Sequence, residues 1–150
     1  MAAAPRLPIV HDAIAKLQRL TDLFQERRAQ LAVEAGLTEG QWEVLERIDT
    51  EHFMPSMFAR DRESSAAAVS RLLRQLVEKK LVTVSVSRHD GRQREYVLTA
   101  RGRRTLAGLR ASRAAAIDAI WIPLDHDALA AFARVSDELI RRIEAYAERP

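Results

Sequence analysis

Four arginines, Arg88, Arg92, Arg94 and Arg101, follow one another closely in the segment Leu81–Gly102 (LVTVSVSRHDGRQREYVLTARG). The chemistry open to such a cluster is charge-assisted hydrogen bonding to a polyanion, because phosphate oxygens accept from guanidinium N–H groups. A second set lies upstream. Ser65, Ala66, Ala67, Ser70, Arg71, Arg74 and Gln75 share one face of a helical pattern whose other face carries Val69, Leu72, Leu73, Leu76 and Val77. Small residues in the first turn let such a helix approach the floor of a DNA major groove. Ser70, Arg71 and Gln75 can then hydrogen-bond bases or phosphates. Residues 60–104 hold 12 Lys/Arg against 5 Asp/Glu, a balance of +7; the rest of the chain holds 12 against 16, a balance of −4. A basic middle between acidic ends points to a polyanionic partner.

Other chemistries find little support. The chain has no cysteine, which excludes a disulfide scaffold, a thiolate zinc site and thiol redox sensing. His11, His52, His89 and His126 are scattered without metal-ligand spacing, so no metal and no cofactor is expected. No nucleophile motif, glycine-rich phosphate loop or carboxylate–histidine set appears, so an enzyme is not expected. There is no long apolar run and no signal-peptide h-region. A cytoplasmic protein without a membrane segment is the expectation.

The elements that would position the basic groups can be read from periodicity and punctuation. Val82–Ser87 alternates apolar and polar residues as a half-buried strand does, Asp90-Gly91 is a hairpin turn signal, and Arg94–Leu98 is the return strand. Before the hairpin, a first helix is predicted from about Pro8 to Ala35, with Ile14, Leu17, Leu20, Leu23, Phe24 and Leu31 on one stripe and Gly36 as its stop. Thr38-Glu39-Gly40-Gln41 predicts a capping box for a second helix, flanked by Leu37 and Trp42 as a hydrophobic staple. A short helix starts at Pro55-Ser56, with Met57, Phe58 and Ala59 on its buried side. Ser64 or Ser65 caps the next helix. After the hairpin, Thr99 caps a helix over about residues 100–121, with Leu106, Leu109, Ile117 and Ile120 as its apolar residues. Asp125 caps the last helix, which presents Leu129, Phe132, Val135, Leu139, Ile140, Ile143 and Tyr146.

The predicted fold class is mainly α with a small β-hairpin wing: a winged helix-turn-helix plus long N- and C-terminal dimerisation helices. Residues 1–150 read as one domain, with 37–99 as the DNA-binding lobe and 8–35 and 100–148 as the helical dimerisation region. A twofold homodimer would present two recognition helices one DNA turn apart, roughly 34 Å, to an inverted repeat in double-stranded DNA.

Leu37-Thr38 with Gln41-Trp42 and Leu45, Phe58-Ala59, Val69-Ser70-Arg71-Leu72 with Leu76, Leu81-Val82, Asp90-Gly91-Arg92 with Arg94, and Leu98-Thr99 with Gly102 follow one family's order and spacing. On these residues the chain resembles the MarR (multiple antibiotic resistance regulator) type of transcriptional regulator. With the wing and the paired long helices, the expected function is that of a homodimeric DNA-binding repressor. Arg92 matches the wing-tip arginine that enters the minor groove, Asp90 the acid that orients the wing arginines, and Arg94 the arginine near the backbone. Two departures stand out: Lys80 replaces a usual glycine, and Arg88-His89 precedes Asp90 where a proline is common. The resemblance also implies release from DNA by a small aromatic or phenolic ligand, bound where the dimer helices meet the DNA-binding lobe. His11, Arg27, Trp42 and His52 are the candidate contacts, although a core role suits Trp42 better. Two rival readings remain: an architectural protein with low sequence specificity, and a module whose basic face binds an acidic protein.

Overall fold

The computed structural model describes residues 6–86, 91 and 94–148. Six helices and one hairpin follow in the order α1 (Arg6–Glu34), α2 (Glu39–Thr50), α3 (Pro55–Asp61), α4 (Ala66–Glu78), β1 (Val82–Val86), β2 (Arg94–Leu98), α5 (Ala100–Ile120) and α6 (His126–Ala147). The chain divides into two compact units, one through Arg110 and one from Ala111. α1 begins two residues before Pro8, which the first turn tolerates because its missing N–H has no helical acceptor to lose.

Local signals set the boundaries. Thr38 Oγ1 accepts from Gln41 N at 3.2 Å, and Gln41 Oε1 accepts from Thr38 N at 3.1 Å, which completes the capping box of α2. Ser65 Oγ accepts from Ala68 N at the start of α4, and Asp125 Oδ2 from Ala128 N at the start of α6. Three helices end in the same way. α1, α3 and α4 close through a residue with positive φ: Gly36 at +70°, Glu63 at +50° and Lys80 at +59°. In each case the next N–H reaches back five residues: Leu37 to Ala32 O, Ser64 to Ala59 O, and Leu81 to Leu76 O. This is the Schellman closure, which supplies donors to carbonyls orphaned at the helix end.

The first unit is built on one apolar core. Trp42, Val44 and Leu45 of α2, Val69 and Leu76 of α4, Val82 of β1 and Leu106 of α5 are almost completely buried. Each large side chain here contributes roughly 1.5–3 kcal/mol. Phe58 and Ala59 add the inner face of α3, and Leu31 and Ala32 the end of α1. β1 and β2 pair antiparallel with Val82 opposite Leu98 and Val86 opposite Arg94.

Several residues expected to be buried are not. Val84, Val86 and Val97 are exposed, since a two-stranded ribbon has nothing layered over it beyond its base. Val82 and Leu98 are buried in the core, and Tyr96 packs against it through an edge-on contact to Phe53 at 6.0 Å. Met57 lies on the outer side of α3. In the second unit, Ile117, Ile120 and the predicted stripe of α6 apart from half-buried Leu129 are exposed, and α6 buries no residue.

The junction between hairpin and α5 depends on one glycine. Thr99 N donates to Leu81 O at 3.0 Å, Thr99 Oγ1 donates to Lys80 O at 2.8 Å, and Thr99 Oγ1 accepts from Gly102 N at 2.9 Å. Gly102 therefore lies directly against Leu81, where a Cβ would stand 2.1 Å from its carbonyl oxygen.

Candidate nucleic-acid interface

α4 is the element with the clearest division of labour. Its inner side seats Val69, Leu73 and Leu76 in the core, while Ser65, Ala66, Ala67, Ser70, Arg71 and Arg74 all face solvent. Among the described residues, the side chains of Arg71 and Arg74 have no hydrogen-bond or ion-pair partner, and the same holds for those of Lys80, Arg94, Arg101 and Arg104. Arg94 opens β2 and is exposed. Arg88, Asp90 and Arg92 lie outside the described residues, as does His89.

Nearby arginines behave differently. Arg110 Nη2 meets Glu46 at 2.6 Å and its Nη1 meets Asp49 at 2.8 Å. Arg62 meets Glu43 at 2.7 Å, and Arg47 meets Glu51 at 2.8 Å. Glu46 and then Asp49 hold the Arg110 guanidinium above its ordinary pKa, chiefly by hydrogen bonding; Glu51 does the same for Arg47. These cations are already neutralised within the fold. The unpaired set keeps its full charge for a polyanion.

Gln75 departs from the expected solvent-facing end. It is half-buried, and its Oε1 accepts from Gln41 Nε2 at 2.8 Å. The amide oxygen is therefore occupied inside the protein.

The four candidate ligand contacts do not converge. His11 is exposed on α1, and Arg27 bonds Gln30 and Glu34 of its own helix. Trp42 is a core residue at 1% exposure, so it is not available to a ligand in this structure. Its Nε1 donates to Glu46, and Arg28 covers its ring at 4.4 Å. His52 alone lines a cleft, of about 250 Å³, together with Phe53, Glu95, Tyr96 and Arg103. His52 was a candidate from the sequence; Phe53, Tyr96 and Arg103 were not legible as its neighbours, because the cleft forms only when β2 returns beside the end of α2. Among the described residues no group of three or more His, Asp or Glu could hold a metal ion, and no helix is long and apolar enough to cross a membrane.

No protein-family sequence model matches this chain, and no curated protein sequence matches it significantly. Solved structures do. A crystal structure of a MarR family transcription regulator superposes with a TM-score of 0.83 over 100% of both chains, at 19% identity. The fold is that of the MarR-type regulators. Staphylococcus aureus MarR, solved with salicylate and kanamycin, superposes at 0.71 over 97% of this chain and 99% of its own, at 17% identity. The S. aureus MepR–DNA complex superposes at 0.62 over 85% of this chain and 93% of its own, at 15% identity. The six helices and the β1–β2 hairpin together match the MarR winged-helix fold. Lys80 stands where the MarR resemblance implied a glycine, and it adopts the left-handed conformation that a glycine would, so the turn into the wing is kept.

Proposed function

We propose that the protein is a homodimeric, sequence-specific DNA-binding transcriptional regulator that represses from an inverted-repeat operator and is released by a small ligand. The observation that carries the DNA reading is the outer face of α4. Small residues fill its first turn, Arg71 and Arg74 follow without carboxylate partners, and the helix is anchored from behind by Leu73 and Leu76. The DNA-bound MepR neighbour supports the same reading. The exposed stripe of α6, with Phe132, Val135, Leu139 and Ile143, supports a second copy of the chain as partner, because apolar faces of that length are costly to leave in water. The cleft beside His52 is the candidate ligand site, and an aromatic ligand could stack on Phe53 or Tyr96 there. The salicylate-bound neighbour supports ligand release.

The test is an anisotropy titration against the protein's own upstream DNA and a scrambled duplex, across salt. A preference of about a thousandfold or more for the upstream duplex is expected of a specific regulator. Equal affinity for both would favour the architectural alternative. Arg92→Ala is expected to cost about 1–3 kcal/mol of operator affinity.

A further inference from the structure

We propose that Gln41 positions the recognition face of α4, acting through Gln75 and Lys79; this rests on the reading of α4 as the DNA-contacting helix. Gln41 is the buried polar side chain of the core, 3% exposed. Its amide orientation is settled by its neighbours. Oε1 accepts from Thr38 N and from Lys79 Nζ, at 3.1 and 2.8 Å, so that end must be the oxygen. Nε2 is left to donate to Gln75 Oε1 at 2.8 Å. Lys79 Nζ also donates to Gly36 O at 2.6 Å, in the turn that closes α1. Gln41 and Lys79 together thus join the end of α1, the cap of α2 and the second half of α4.

The apolar contacts of α4 cannot do this alone. Leu73 and Leu76 attract without direction, so a small rotation of the helix costs them little. Hydrogen bonds weaken steeply when misaligned, and within a partly buried network they fix the rotation. Gln75 follows Arg74 and lies one turn from Arg71, so fixing Gln75 fixes the direction in which those arginines leave the helix.

The experiment begins with duplexes selected from a random pool by the wild-type protein. The selected duplex and a scrambled one are titrated, across salt, with wild type, Gln41→Leu, Gln75→Leu and the double variant. Each single variant should lose about tenfold in affinity for the selected duplex, and the double should lose no more, as expected of two ends of one interaction. Affinity for the scrambled duplex and the salt slope should stay unchanged, since no phosphate contact is removed. Gln41→Glu keeps the cap, still accepts from Lys79 and can accept from a turned Gln75 amide; it should retain wild-type affinity. Gln75→Leu, on the half-buried flank, keeps the test open if Gln41→Leu folds poorly. Wild-type behaviour of Gln41→Leu overturns the assignment, as does an additive loss in the double. A loss confined to Gln75→Leu and to one base-pair position makes Gln75 a direct base reader instead. Parallel losses on both duplexes, with a lowered Tm and no rescue by Gln41→Glu, reduce the network to a structural role. A pool with no enriched motif sinks the regulator reading, and this assignment with it.

Discussion

α4 and α6 are both amphipathic helices with a polar cap at the start, yet each leaves the opposite face unsatisfied. α4 has its apolar side covered by its own chain, with Leu76 at 0% exposure, while Arg71 and Arg74 on its outer side lack partners. In α6, Arg141 and Arg142 both bond Glu138 and hold its carboxyl below the usual carboxylate range, while Leu139 stays 40% exposed and Ile143 66%. A helix short of counter-charge takes a polyanion. A helix short of apolar cover takes another apolar face. In the proposed function the same local periodicity serves two partners, and what each helix lacks distinguishes them.

The largest expected effect separates the two apolar faces. Leu76→Ala should lower the unfolding free energy by about 2–5 kcal/mol at any protein concentration, since it opens a cavity in a closed core. Leu139→Glu should instead act on association: wild type should sediment as a dimer, and the variant as a folded monomer. If Leu139→Glu unfolds the protein at every concentration, the α6 face is internal and the contrast fails.

Gly102→Ala comes next and tests the base of the wing. In an ordinary helix the change would help by about 1 kcal/mol. Here the added methyl would meet Leu81 O, which is already tied to Thr99, so a net loss of about 1–3 kcal/mol is expected in chemical denaturation. A neutral or stabilising result would mean that the α5–β1 junction is wider than described.

The charged faces can be compared by the same substitution on each. Arg71→Ala should weaken operator binding by about 1–3 kcal/mol, and Arg141→Ala should leave it within about 0.5 kcal/mol. Equal losses would erase the distinction between unpaired and self-neutralised arginines. The smallest effect has the opposite sign. Lys80→Gly should stabilise the fold by about 0.5–1 kcal/mol, because relief of the left-handed backbone slightly exceeds the entropy that glycine adds to the unfolded chain. A raised Tm would confirm it, and a lowered one would mean that the Lys80 side chain has a role beyond the turn.

Much of this molecule was legible in its residues. The capping box at Thr38 and Gln41, the stop at Gly36, the caps at Thr99 and Asp125, the α4 cap at one of Ser64 and Ser65, and the two hairpin strands are all short-range, and each needs only a few neighbouring residues. Val69, Leu73 and Leu76 on the inner face of α4 followed from periodicity alone, whereas Val77 of the same predicted face is exposed. So did the positions of Arg71, Arg74 and Arg94. Which groups end up satisfied was not legible, because pairing is decided by residues far apart in sequence. Arg110 finds Glu46 and Asp49, Gln75 finds Gln41, and Trp42 closes into the core. The valines of the hairpin show the limit from the other side: their alternation is real, but only packing decides whether a second layer covers them. The sequence by itself determined where helices and strands begin and end and which side of each is apolar, since those depend on local hydrogen bonds and side-chain spacing. Tertiary structure alone decided which charges stay free and which apolar faces stay open, since burial and neutralisation need a partner that the chain must first fold to reach.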